Sequence, residues 1–169
     1  MLLLSICTFA QSKMIVGQNH TIFAEIPNKW VQAENEQLPF FIKPDETNVS
    51  PSTYMYVYGI DYNINPEIEK WISGNNENLK SNYPEIIIET KKLTFKNLSE
   101  SKYYTGKSQQ ITYEYPDKRK ENILVIECKN SIITVVLSAE NETKFEEYQK
   151  GFLELCTSIK ILETELERE

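Results

Sequence analysis

Histidine is nearly absent from this chain: His20 is the single copy among 169 residues. Ser–His–Asp triads, histidine-based zinc sites and imidazole proton shuttles all draw on this residue type, so enzymes of those kinds are not expected. Glycine is scarce too, with five copies. No Gly-x-Gly-x-x-Gly, Walker-type or Gly-x-Ser-x-Gly pattern occurs, which leaves no glycine-rich loop to cradle a phosphate or present a nucleophile. Basic side chains are outnumbered, 18 Lys and Arg against 25 Asp and Glu, for a net charge of −7. That balance opposes phosphate backbones and anionic headgroups. The one compact basic run, Lys118-Arg119-Lys120, reads as a hairpin tip, and nucleic-acid binding is not expected. No cofactor, metal site or membrane span is expected, since a spanning helix needs about 20 apolar residues in succession.

What is present is 40% apolar, 25% charged and 11% aromatic, which is the composition of a folded globular domain. A chain of this length hides roughly 70% of its unfolded surface, enough for a core without metal or disulfide staples. Residues 1–10, Met-Leu-Leu-Leu-Ser-Ile-Cys-Thr-Phe-Ala, form an uncharged apolar run too short to span a bilayer. It reads as the apolar region of a signal peptide lacking its basic start. Thr8 and Ala10 suit the −3 and −1 positions of a cleavage site, which makes Gln11 the expected mature N-terminus. The competing reading is a buried strand. A lipoprotein would want a small residue before its cysteine, but Ile6 precedes Cys7.

Cys128 and Cys156 then remain. In an oxidising compartment they could close a loop of about 28 residues as a disulfide, with a chain-entropy stabilisation of about 3 kcal/mol. Equally, Cys128 falls in an apolar strand and Cys156 on the apolar face of a helix, where free cysteine is commonly buried. Spacing alone leaves both readings open, because bridging depends on a Cα separation the sequence does not give.

A single domain is expected over residues 11–162, followed by an acidic tail, 163–169, read as a solvated helical extension or frayed end. His20–Ile26, Leu38–Lys43 and Thr53–Asp61 read as strands bounded by turn residues. In the third, Tyr54, Tyr56 and Tyr58 alternate with Met55 and Val57 and so share one face. Asn65 and Pro66 suit the cap and first position of a helix carrying Ile68, Trp71, Ile72 and Leu79, which Pro84 ends. Glu85–Phe95 and Lys102–Tyr115 are strands again, the second divided near Gly106. Glu121–Cys128 and Ser131–Ser138 are joined by Lys129-Asn130, the length of a two-residue hairpin. Their nearly continuous apolar runs imply strands covered on both faces. Thr143 and Glu146 match a capping box, opening a helix with Phe145, Tyr148, Phe152, Leu155, Cys156 and Ile159 on one stripe. Strands, helix, strands, helix around a mostly antiparallel sheet is an α+β layered domain.

This pattern resembles the PsbP-like family, named for an extrinsic subunit of photosystem II and shared by many exported bacterial proteins. The opening Phe23-Ala24-Glu25-Ile26-Pro27-Asn28-Lys29-Trp30 is similar to the family's first strand running through a proline and short turn into a tryptophan. The helix from Asn65, the meander from Lys102 to Ser138 and the final helix closing on Thr157-Ser158-Ile159-Lys160-Ile161 are similar in order and length. The resemblance implies an α/β/α sandwich, with helices packed on both faces of the sheet, and a periplasmic or extracellular location. No match is seen to the metal-binding or partner-docking residues described for the photosynthetic subunit, so it implies the scaffold alone.

Tyrosine is the best surface clue. Tyr54, Tyr56, Tyr58, Tyr62, Tyr103, Tyr104, Tyr113 and Tyr115 concentrate in the expected strands. They would make a stacking platform, with Tyr54, Tyr56, Tyr58 and Tyr104 as candidate contact residues, or they would simply pack under helices as strand aromatics do. Trp30 and Trp71 read as core anchors. The acidic pairs Glu67/Glu69, Glu146/Glu147 and Glu163/Glu165 suit solvated helix starts and exposed faces, and Asp61-Tyr62-Asn63-Ile64-Asn65 a turn entering a cap. The expected function is a monomeric, non-enzymatic exported module that binds an envelope or secreted partner. The alternative is a small-ligand carrier or hydrolase with an acid-plus-tyrosine pocket.

Overall fold

The computed structural model describes residues 11–164. In chain order these form β1 (Ser12–Val16), β2 (His20–Glu25), β3 (Trp30–Gln32), β4 (Phe40–Pro44), β5 (Tyr54–Asp61), α1 (Ile68–Asn82) and β6 (Ile87–Lys92). A 3₁₀ turn (Leu98–Glu100) leads to β7 (Tyr104–Glu114), β8 (Lys120–Cys128), β9 (Ser131–Ala139), α2 (Glu142–Ser158) and β10 (Lys160–Glu163). Seven strands form one antiparallel sheet in the order β3-β4-β5-β9-β8-β7-β6, and β1-β2-β10 form a second. No described helix is long and apolar enough to cross a membrane.

The centre is the β8–β9 hairpin, in register from Lys120↔Ala139 to Cys128↔Ser131 and closed by Lys129-Asn130 as the two-residue spacing predicts. Every residue of β9 is buried, as its unbroken apolar run requires. Along β8 the pleat sends successive side chains to two separate apolar clusters. Ile123 and Val125 join Ile68 and Ile72 of α1, whereas Leu124, Ile126 and Cys128 join Phe145, Phe152, Leu155 and Cys156 of α2. The small sheet adds Ile15, Ile22, Ala24 and Ile161 to the α2 cluster.

Four local expectations change. Residues 12–16 form a strand ahead of the first one expected, because it is an edge strand in which Ile15 alone is buried. Helix α1 begins at Ile68 rather than at Asn65 and Pro66. Its cap residue Glu67 makes no side-chain capping bond, and the Ile68 N–H donates instead to Glu127 Oε2 at 2.9 Å. Helix α2 is capped two residues earlier than the Thr143–Glu146 pattern suggested, the Asn141 side chain accepting from the Lys144 N–H at 3.0 Å. Beyond it the chain turns extended at Ile159 and pairs with β2 as far as Glu163, the first residue of the tail expected to be a solvated helical extension or frayed end. Thr164 closes that edge, its Oγ1 2.6 Å from Oγ1 of Thr21. The signal-peptide reading of residues 1–10 and the last five tail residues lie outside the described residues.

Candidate functional site

The pleat of β5 puts Tyr54, Tyr56 and Tyr58 on one face and the fully buried Met55 and Val57 on the other. Across the ladder Tyr54 faces Ser138, Tyr56 faces Val136 and Tyr58 faces Thr134. This face is the one α1 packs on, but the helix sits over the β7–β8 part of the sheet, with Ile68 and Ile72 in one cluster with Ile111, Ile123 and Val125. A helix about 10 Å wide covers only about two strands at 4.8 Å spacing. The tyrosine row therefore stays open beside it.

The result is a cleft of about 510 Å³. Tyr54, Tyr56, Tyr58, Ile60, Ile123, Thr134 and Val136 come from the sheet. Trp71 and Asn75 of α1 and the segment Asn35, Gln37, Leu38, Phe41 and Pro51 complete the lining. The aromatic side chains follow one another: Phe41 and Tyr54 have ring centroids 5.3 Å apart, and Tyr54 and Tyr56 stack at 6.2 Å with their planes 29° apart. Tyr58 is 40% exposed, and Tyr54, Tyr56 and Trp71 are half-buried. Trp30, by contrast, is the core anchor expected, edge-on to Tyr148 at 5.2 Å.

Tyr104, the fourth candidate, is not part of this surface. It packs against the α2 cluster and its hydroxyl lies 3.1 Å from Ser108 Oγ. The reason is an irregularity in β7 at Gly106, which adopts φ +90°: Tyr104 pairs with Cys128 and Ser108 with Ile126, four residues of β7 spanning two of β8. Tyr103, Tyr113 and Tyr115 are buried.

None of the fourteen lining residues carries a charge. Burial pushes the Tyr54 and Tyr56 hydroxyls above the ordinary tyrosine range, with the Glu121 carboxylate adding to the effect. They stay protonated at neutral pH and can donate. Glu121 does not line the cleft. It accepts from the Tyr115 hydroxyl at 2.7 Å and from Arg119 Nη1 at 2.6 Å, while that guanidinium sits 3.7 Å over the Tyr115 ring. Of the basic hairpin tip, Arg119 is thus spent on an internal ion pair, and Lys120 bridges Glu114 and Glu142. Glu67, Glu69, Glu146 and Glu147 are solvent-exposed. Among the described residues no group of three His, Cys, Asp or Glu side chains could hold a metal ion.

Cys128 and Cys156 are both free and fully buried. Burial pushes the Cys128 thiol up to about 12 and the Cys156 thiol higher still, so both are protonated and inert in the folded protein.

One polar arrangement had no counterpart in the sequence reading. His20, 2% exposed, holds Nδ1 2.8 Å from Asp61 Oδ1, and Asp61 also accepts the backbone N–H groups of Gln18 and Asn19 at 2.7 and 3.2 Å. The ring is walled by Gly17 and Gly59. Those two glycines, one just before the histidine and one just before the aspartate, were the available signal.

The architecture is that of an α+β protein of mostly antiparallel sheets with two helices. Among solved structures it is similar to the solution structure of cyanobacterial PsbP (CyanoP) from Synechocystis sp. PCC 6803, with a TM-score of 0.54 and 10% identity over 92% of this chain and 95% of that one. The fold is therefore PsbP-like. No protein-family model matches the sequence, and no curated protein matches it.

Proposed function

We propose that the chain is an exported, monomeric, non-enzymatic binding module, an α/β/α sandwich that holds its ligand in the Tyr54–Tyr56–Tyr58 cleft. One observation carries the reading: three tyrosines, a tryptophan and a phenylalanine line an open cleft in which no residue is charged. Buried aromatic surface of that kind binds and orients, while the lining lacks any carboxylate, imidazole, thiol or amine to move a proton or attack a substrate. The sandwich reading is supported by the alternation of β8 between the α1 and α2 clusters. Export is supported by the signal-like residues 1–10 and by the resemblance to exported PsbP-like proteins.

The test is photocrosslinking in the native envelope with the full chain carrying Tyr58→p-benzoylphenylalanine, or the same substitution at the exposed Leu153 of α2. A defined adduct from position 58, absent from position 153 and lost on adding Trp71→Ala, is expected. Equal labelling from the two positions, or none from position 58, overturns the cleft as the binding site.

A further inference from the structure

Resting on that reading of the cleft, we infer that its ligand is a neutral oligosaccharide. Charge comes first. A quarter of the chain is charged, yet none of the cleft lining is. The nearest cations stand outside the lining: Arg119 is paired with Glu121, and Lys43 Nζ lies 5.8 Å from the Phe41 ring. A phosphate, sulfate, carboxylate or ammonium entering the cleft would lose water with no counter-charge in the lining itself, which disfavours nucleotides, single-stranded nucleic acid and anionic headgroups.

The remaining lining is selective among uncharged ligands. Gln37 presents an amide that both donates and accepts, as a sugar hydroxyl does; Asn35, whose Oδ1 accepts from the Gln37 and Leu38 N–H groups, offers its Nδ2, and Asn75, whose Nδ2 donates to the Tyr113 hydroxyl, offers its Oδ1, whereas a hydrocarbon chain would match none of these. The stacked Tyr54 and Tyr56 rings, 6.2 Å apart, and the more exposed Tyr58 give the cleft an aromatic surface against which the C–H side of a sugar ring can pack. An extended peptide finds less. The cleft floor is a sheet face whose strands β4, β5 and β9 already pair with one another, so main-chain groups of a bound peptide meet no free ladder edge.

The experiment is an amide NMR titration of the full chain with maltohexaose, cellohexaose and N-acetylchitohexaose, each beside hexagalacturonate as the charged control. At least one neutral hexasaccharide should give saturable shifts confined to Tyr54–Ile60 and the Asn75 region, with hexagalacturonate inert. Tyr58→Ala, at an exposed position that leaves the fold intact, should weaken that binding roughly five- to tenfold, and Tyr56→Phe, which keeps the ring, should retain it within about twofold. Failure of all three neutral sugars to move these resonances overturns the inference, as does hexagalacturonate binding equally well. A blocked decaproline peptide separates the two readings: shifts from it without shifts from sugars reject the saccharide and keep the cleft as a binding site. Silence from every probe, together with no adduct at position 58, rejects both.

Discussion

His20 and Asp61 are fixed against each other across 41 residues of chain, Nδ1 to Oδ1 at 2.8 Å, with the imidazole held between two glycines. A Cβ built on Gly59 would lie 2.2 Å from His20 Nε2, and one on Gly17 would lie 2.2 Å from Cε1. Because His20 belongs to β2 and Gly59 to β5, this contact joins the small sheet to the large one. Gly59→Ala should therefore destabilise the protein by about 1–3 kcal/mol, the usual cost of overpacking a filled site. Removing the ring should relieve the clash, so Gly59→Ala in a His20→Ala background should cost much less in urea unfolding. Strictly additive losses from the two substitutions would show that the contact is not the cause.

Glu121 predicts a pH dependence. It is buried, and burial raises its carboxyl above the ordinary range despite the opposing Tyr115 hydrogen bond and Arg119 charge. A raised carboxyl pKa means that the folded state holds the proton longer than the unfolded chain does. Its contribution to stability is then fully present below the unfolded value of about 4.3 and declines as pH rises through the folded value. Urea unfolding of the wild type and of Glu121→Gln across acidic to neutral pH should show the wild type losing stability relative to the variant as pH rises. A difference that is flat or grows with pH contradicts the assignment.

The buried cysteines give a chemical test of the free-thiol arrangement. Cys128 and Cys156 are each fully buried, with thiols raised by desolvation. Folded protein should resist a thiol reagent at neutral pH, and denatured, unreduced protein should expose both as titratable groups, after allowance for Cys7 where that residue is retained. Absence of these two thiols in the denatured sample would establish the bridge instead.

What the sequence made legible was whatever depends on neighbours along the chain. The β8–β9 hairpin follows from two continuous apolar runs and a two-residue link, and the common face of Tyr54, Tyr56 and Tyr58 from a period of two. The features that escaped depend on distant partners. Strands β1 and β10 bury little beyond Ile15 and Ile161, so neither carries a strong pattern of its own, and both exist because β2 pairs with them. Asn141 outcompetes the Thr143–Glu146 pattern because the backbone enters α2 two residues earlier than side-chain chemistry alone suggests. The cleft itself is a mismatch of widths: one helix on a seven-stranded sheet. No local pattern encodes that, which is why the tyrosines could be named but Asn35, Gln37 and Asn75 could not.

The position of α1 decides whether the cleft has a second wall, and Glu127 holds its start. This carboxylate, 5% exposed, accepts from the Ile68 N–H at 2.9 Å, from Thr105 Oγ1 at 2.8 Å and from Lys107 Nζ at 3.3 Å. A negative group at a helix N-terminus meets both the orphan N–H and the positive end of the helix dipole. Glu127→Ala leaves a buried donor unpaired and should cost about 1–3 kcal/mol. Trp71 lies one turn beyond Ile68, so loosening that turn should also move the indole towards water. The expected outcome is faster amide exchange at Ile68 and a red-shifted Trp71 emission, read in a Trp30→Phe background. Glu127→Gln keeps an acceptor for the Ile68 N–H and should recover most of the Trp71 signal. If Glu127→Ala lowers global stability while leaving Trp71 emission unchanged, the carboxylate is a core contact only and does not position the cleft wall.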